Sequence, residues 1–225
     1  MPSRTTPLIT GEIYHVLNRS VASIPIFEKK REYARFLLSL KYYRYTDIPG
    51  SLSHFLRIKK EQREAIMHQL SQKSKLRVSI ICFCIMPNHF HLLLKQEEEG
   101  GISEFVRLIA NSYSKYFNIK HQRSGPVFEN RFRAVRVETE AQFLHLSRYI
   151  HLNPYSGFLV KTIKELLDYR YSSLREYLGL KQRDCICQKN LILSHFSSVK
   201  KYQKFLQDRA DYQRNLEIIK RQLLE

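Results

Sequence analysis

The sequence predicts an α+β fold with a helical C-terminal tail, and three observations carry that expectation. Ile13–Asn18 alternates strand-fashion, and two β-rich runs lie between residues 76 and 96. Apolar residues recur at helical spacing between and after those runs. Beyond Gly179 the apolar positions become sparse and charge takes over, so residues 1–178 read as one domain and 179–225 as a basic helical tail.

In chain order, Ile13, His15 and Leu17 alternate with Tyr14, Val16 and Asn18, which is the period of a strand. From Arg31 to about Tyr45, Tyr33, Phe36, Leu37 and Leu40 lie on one face of a helix, and a second, polar helix is expected within KKEQREAIMHQLSQKS. LRVSIICFCIMPNHFHLLLKQ is broken at Met86-Pro87-Asn88. Proline cannot donate to a central ladder and asparagine tolerates turns, so two antiparallel strands joined by a tight connection are expected. Ile102, Phe105, Val106, Ile109, Tyr113 and Phe117 predict a long helix packed on the sheet. VFENRFRAVRVE reads as another strand. In it Arg131 and Arg133 share one parity and Arg136 has the other, which points to a bulge or a strand end. Thr139, three residues before Gln142, makes a capping box for a helix from Glu140, and Pro154 predicts its end at Leu152 or Asn153. The charged segment from residue 181 fits one or two helices that either pack on the domain or await a partner.

Composition narrows the class of function. The chain has 38 Lys+Arg against 21 Asp+Glu, a formal charge of +17, with 43% hydrophobic residues. That is enough apolar content for a core and enough positive charge to expect a polyanionic partner, since each cation placed on a phosphate releases condensed counterions. No apolar run approaches the roughly 20 residues of a membrane span, and the N-terminal residues have no signal-peptide core, so a cytoplasmic protein is expected. The cysteines form two C-x-C pairs, Cys82/Cys84 and Cys185/Cys187, without a secreted disulfide pattern; the first pair reads as small buried hydrophobes.

Two histidines, His89 and His91, stand out in the second of the β-rich runs. On a strand, residues i and i+2 face the same side roughly 6.6–6.8 Å apart, so His89, His91, Leu93 and Lys95 share a face and Phe90, Leu92 and Leu94 take the other. Two such imidazoles can converge on a metal or a phosphate, or be half-buried sheet residues with no chemistry; spacing alone leaves all three open. A histidine-triad hydrolase would need histidine where Leu93 stands, and the chain has no H-E-x-x-H zinc-peptidase motif.

MPNHFHLLL, the upstream YHVLNRS…IF, the central SYSKYFNIKHQRSGPVFENRFRAVRVE and SRYIHLNPYSGFL resemble, in order and spacing, the single-tyrosine transposases of the HUH endonuclease superfamily. The nearer branch is that associated with repetitive extragenic palindromes (REPs). The likeness spans about residues 10–178. It implies a ferredoxin-like antiparallel sheet flanked by helices. It further implies a divalent metal, Mg2+ or Mn2+, held by His89, His91 and Asn153, with Tyr149 as the nucleophile. Where the insertion-sequence branch commonly has glutamine at the amide position, this chain has the shorter Asn153. Helical spacing is compatible with that set, since Tyr149 and Asn153 are four residues apart and neighbours on one face at about 5–6 Å. Tyr113 and Tyr116 fit core packing better, because Tyr113 belongs to the apolar stripe of its helix.

The chemistry implied is strand cleavage through a 5′-phosphotyrosine and rejoining by a second 3′-hydroxyl. Tyrosine, with a pKa near 10, needs a phosphate made more electrophilic. Single-stranded or hairpin DNA is the implied partner, with self-association as a homodimer left open and no membrane. Arg131, Arg133 and Arg136 are candidate DNA-binding residues, with Arg19, Lys95 and Arg148 close to the motifs. Two alternatives stand beside this reading. One is a non-catalytic nucleic-acid-binding protein that retains the fold; the other is a metal-dependent phosphodiesterase that uses water and has no need of Tyr149.

Overall fold

A computed structural model describes residues 7–180 and 185–222. Among them, β1 (Ile13–Arg19), β2 (Val78–Met86), β3 (His89–Gln96) and β4 (Arg133–Arg136) form one sheet in the order β2-β3-β1-β4, antiparallel throughout. Helix α1 (Lys30–Tyr43), the short α2 (Leu52–Phe55) and α3 (Lys60–Lys73) lead from β1 to β2, and α4 (Gly101–Lys120) leads from β3 to β4. This strand-helix-strand-strand-helix-strand succession, with β1 and β3 central, is the ferredoxin-like arrangement, so the expected α+β class is the one adopted. Helix α5 (Glu140–Ser156) follows β4. After it come α6 (Ile163–Asp168), α7 (Leu174–Tyr177), α8 (Asn190–Leu193), α9 (Val199–Gln207) and α10 (Ala210–Gln222).

Each face of the sheet has its own core. On one, Val16, Phe90, Leu92 and Leu94 pack with Phe36 and Leu40 of α1 and Phe105, Ile109 and Tyr113 of α4. The Tyr113 hydroxyl donates to the Ile26 carbonyl, which makes Tyr113 a core residue. On the other, Cys82, Cys84 and Leu93 pack under Ile150 and Leu152 of α5, and Tyr202, Leu206 and Ala210 join them from the tail. Burying each large apolar side chain of this kind is worth about 1.5–3 kcal/mol, so covering both faces is what makes β2 a continuous apolar run. β2 serves both cores by alternation, and at a register shift between Ile80 and Cys82 the consecutive residues Ile81 and Cys82 both join the second core.

Met86 pairs with His89 across a two-residue turn, as Pro87 and Asn88 predict. The turn is pinned from outside: the Pro87 carbonyl accepts from the Ile26 and Phe27 amides, and the Asn88 carbonyl from Ser20.

Two expectations are corrected. The strand expected from Val127 onward is only Arg133–Arg136, because Val127 and Phe128 turn into the core and the exposed polar residues Glu129, Asn130 and Arg131 bend the chain before pairing resumes. Of the bulge or strand end expected there, the strand end is found, β4 closing at Arg136, while a register shift lies in β2. The helix from Glu140 runs through Pro154 to Ser156. Proline removes only its own amide donor, and the turn beyond is closed by Gly157 N–H to Asn153 O at 2.8 Å and by the Leu159 and Val160 amides to Pro154 O. The other end is as expected: Thr139 Oγ1 accepts from the Gln142 amide at 3.1 Å.

Of the two arrangements left open for the tail, packing on the domain is the one adopted by α9 and α10. Residues 1–6, 181–184 and 223–225, which belong to the expected domain and tail, lie outside the described residues.

Candidate active site

The edge between β3, the β2–β3 turn and α5 encloses a cavity of about 610 Å³, lined among others by Arg19, His89, His91, Tyr149, Asn153 and Glu217. The sheet dictates the first part of this grouping. β3 is flanked by β1 and β2, so its α5-facing side chains are held from both sides, and the two-residue turn starts the strand at His89. The helix dictates the second: Tyr149 and Asn153 sit one turn apart on the face of α5 that meets the cavity.

His89 and His91 have ring centroids 5.0 Å apart with planes at 84°. Tyr149 meets His91 edge-on at 5.5 Å. Among the described residues no hydrogen bond engages the Tyr149 hydroxyl; its backbone carbonyl accepts from Asn153 Nδ2 at 3.4 Å and from Gln213 Nε2 of α10 at 3.2 Å. With the Asn153 amide nitrogen committed to the helix backbone, its Oδ1 is the atom left to act as a ligand.

Burial holds His89 down to about 4, and the Arg19 charge acts in the same direction. Burial also holds His91 well below its usual range, aided by His89, His15 and Arg19. Both rings are therefore neutral at pH 7 and each keeps a lone pair. His89 Nδ1 lies 2.6 Å from Asn88 Oδ1, and His91 Nδ1 lies 3.0 Å from His15 Nε2. Nε2 is thus the uncommitted nitrogen of each ring among the described residues. No three His, Cys, Asp or Glu side chains group as a metal cluster among those residues. Two imidazole nitrogens and the Asn153 amide oxygen form a mixed N/O donor set that fits a borderline divalent cation.

Three residues of this neighbourhood escaped the sequence reading. His15 stacks on His91 at 5.2 Å and also meets Tyr149, at 6.0 Å; burial brings it down to about 4. A lone histidine on a strand has no spacing motif, and only the register, with Leu17 opposite His91, places it there. Asn88 carries only a turn signal in the sequence, with nothing to mark its contact with His89. Glu217 comes from the far end of the chain, where no local pattern could mark it.

The basic candidates separate. Arg131 and Arg133 are exposed and line a smaller cavity with Leu17, Asn18, Arg19 and Glu129; Leu17 and Arg19 line both cavities. Arg136 is not brought to either, because it has the opposite parity on β4 and pairs with Glu12 at 2.9 Å. Lys95 pairs with Glu97 at 3.2 Å. Arg148 is buried, its guanidinium 4.3 Å from the Phe205 ring centroid and donating to the Phe205 carbonyl, so it serves the tail interface.

A sheet with His-hydrophobe-His on a central strand, covered by a helix that carries tyrosine, is the arrangement that the resemblance to HUH endonucleases implied. Residues 53–153 match the family model described as transposase IS200 like. A solved structure of a REP-associated tyrosine transposase bound to a REP hairpin has the same fold, with a TM-score of 0.50 and 13% sequence identity over 84% of this chain and 93% of that one. No curated protein sequence matches the chain. Among the described residues no helix is long and apolar enough to cross a membrane.

Proposed function

We propose that this protein is a transposase, a metal-dependent endonuclease and strand transferase for single-stranded DNA, with Tyr149 as nucleophile. The observation that carries the reading is the edge-on approach of the Tyr149 ring to His91, at 5.5 Å, in a cavity that Asn153 and His89 also line. His89, His91 and Asn153 would hold the cation, Mg2+ or Mn2+. When bound, such a cation supplies Lewis acidity that draws charge from a phosphate oxygen.

The chain's own residues do the rest. Tyr149 Oη attacks the phosphorus of a phosphodiester, its proton passing to solvent. The phosphorus–O3′ bond breaks, and the leaving oxygen takes a proton to become a free 3′-hydroxyl. The 5′-phosphate stays on Tyr149, and because the new bond is itself a phosphodiester, attack by another 3′-hydroxyl restores the phenol and joins strands without an added energy source. The hydrogen bond from Gln213 to the Tyr149 carbonyl holds this turn of α5, so the phenol approaches from a constrained direction. Arg19 lies opposite His89 across the β1–β3 ladder and lines both cavities, where a strand running from the Arg131/Arg133 cavity towards the histidines would present its phosphates.

The class of substrate follows by analogy with the REP-associated relative, which is bound to a hairpin. We assign this chain hairpin DNA with a flanking single strand, which suits its +17 charge. The test is a denaturing gel of protein incubated with 5′- or 3′-labelled hairpins in Mn2+. A covalent adduct on the 5′-phosphate side is expected, absent in Tyr149→Phe. Cleavage without any adduct would favour a water-using phosphodiesterase, and DNA binding without cleavage a non-catalytic binding protein.

A further inference from the structure

The histidines that would hold the cation each have Nδ1 engaged by a different neighbour, and one of these neighbours is itself a histidine. We propose that His15 is a positioning residue: its Nε2 accepts a hydrogen bond from Nδ1–H of His91 and so keeps His91 in the tautomer whose Nε2 lone pair is left for the cavity. The proposal rests on the reading that His89 and His91 ligate a divalent cation.

A neutral imidazole has one N–H and one lone pair. Across the 3.0 Å between His91 Nδ1 and His15 Nε2 only one of the two nitrogens can carry the hydrogen. If His15 carried it, His91 would hold its own proton on Nε2 and offer the cavity no lone pair. If His91 carries it, Nε2 is a donor atom ready for a metal. Outer partners of metal-bound histidines act in this way, by fixing the tautomer and the ring direction together.

Placement makes His15 suited to that task. β1 lies between β3 and β4, and the His15 backbone pairs with Leu93 on one side and Val135 on the other, so its Cα cannot drift. With Leu17 opposite His91, His15 is one same-face step along the strand, and the two rings stack with an interplanar angle of 14°. The second ring is treated alike by an unrelated residue. Asn88 Oδ1 lies 2.6 Å from His89 Nδ1, and Asn88 Nδ2 donates to the Ser23 carbonyl at 3.0 Å, which fixes the amide so that its acceptor oxygen meets His89. An acceptor on Nδ1 of both rings is what two Nε2 ligands require. His15 also lies outside the segment matched by the transposase family model.

The experiment separates the acceptor from the ring. His15→Phe keeps an aromatic ring for the stack but has no acceptor; His15→Gln can present an amide oxygen near the position of the lost Nε2. Full-length wild type, both variants and His91→Ala are titrated with Mn2+, free ion being followed by electron paramagnetic resonance. Long-range 1H–15N spectra of the metal-free proteins report which nitrogen of His91 is protonated. Wild type should show Nδ1–H on His91; His15→Phe should lose about 10–100-fold in Mn2+ affinity and shift His91 towards Nε2–H; His15→Gln should recover most of the affinity. Equal Mn2+ affinity for His15→Phe and wild type, with His91→Ala impaired, would overturn the role of His15 and leave the metal reading standing. Wild type and His91→Ala binding Mn2+ equally would overturn both. An Nε2–H tautomer at His91 in wild type overturns the proposal without any variant.

Discussion

The Tyr202 hydroxyl of α9 lies 2.7 Å from Nδ1 of His151, two residues beyond Tyr149 on α5, and the other ring nitrogen lies 2.7 Å from Ser173 Oγ. The helix that carries the candidate nucleophile is thereby tied to the tail on one side and, through Ser173, to β2 on the other, since the Phe83 amide donates to Ser173 Oγ. Burial pushes His151 down to about 3. Between the unfolded value near 6.5 and that folded value, the unfolded chain binds a proton that the folded chain refuses. The stability contribution is therefore complete above pH 6.5 and is lost as pH falls towards 3, at up to about 1.4 kcal/mol per pH unit. Urea unfolding between pH 7 and 4 should show this slope, and His151→Asn should reduce it by one proton's worth. An unchanged slope in the variant would place the His151 proton uptake elsewhere.

Replacing either candidate ligand should remove the chemistry while sparing the fold. His89→Ala and His91→Ala should each lose most strand cleavage, and EDTA should abolish it in wild type until Mg2+ or Mn2+ is restored. Gel cleavage assays at matched protein concentration are the check. Undiminished cleavage in chelator would assign the imidazoles to direct phosphate contact.

Affinity for single-stranded DNA should fall steeply with salt, log K against log salt having a slope of roughly −0.7 per phosphate neutralised. Arg131 and Arg133 are exposed beside Arg19, so Arg131→Ala or Arg133→Ala should flatten the slope by about one contact with little change in preference. Arg136 is engaged by Glu12, so Arg136→Ala should change the slope less. Competition titrations at several salt concentrations, with hairpins and scrambled strands of equal length, decide this. Equal slopes for all three variants would contradict the assignment.

Gly101 opens α4 where the chain passes the β2 edge, and a Cβ there would stand 2.3 Å from the Arg77 carbonyl oxygen. Glycine to alanine inside a helix ordinarily gains about 0.5–1 kcal/mol. Here backbone must move, so Gly101→Ala should instead destabilise by about 1–3 kcal/mol, read from urea unfolding. A stabilised variant would show that the close approach is not a constraint.

Much of this protein is written in neighbouring residues. The period-2 run at Ile13–Asn18, the Pro87-Asn88 break and the stripe from Ile102 to Phe117 determined β1, the β2–β3 hairpin and α4, because each depends on which side chains share a face within one element. The same local geometry put His89 with His91, and Tyr149 with Asn153. Where competing local signals met, sequence reading failed: Pro154 argues for an end, but the carbonyls and amides around it find partners and α5 continues.

What joined the two pairs, and what surrounds them, was decided only by tertiary structure. The β1–β3 register alone brings Nε2 of His15 to Nδ1 of His91, and the return of α10 over α5 alone brings Gln213 to the Tyr149 carbonyl and Glu217 to the cavity. The same long-range packing withdrew Arg148 beneath Phe205 and gave Arg136 to Glu12. Such pairings follow from how faces are buried against one another across the chain, and a spacing pattern records only the face an element offers, not the residue that will meet it.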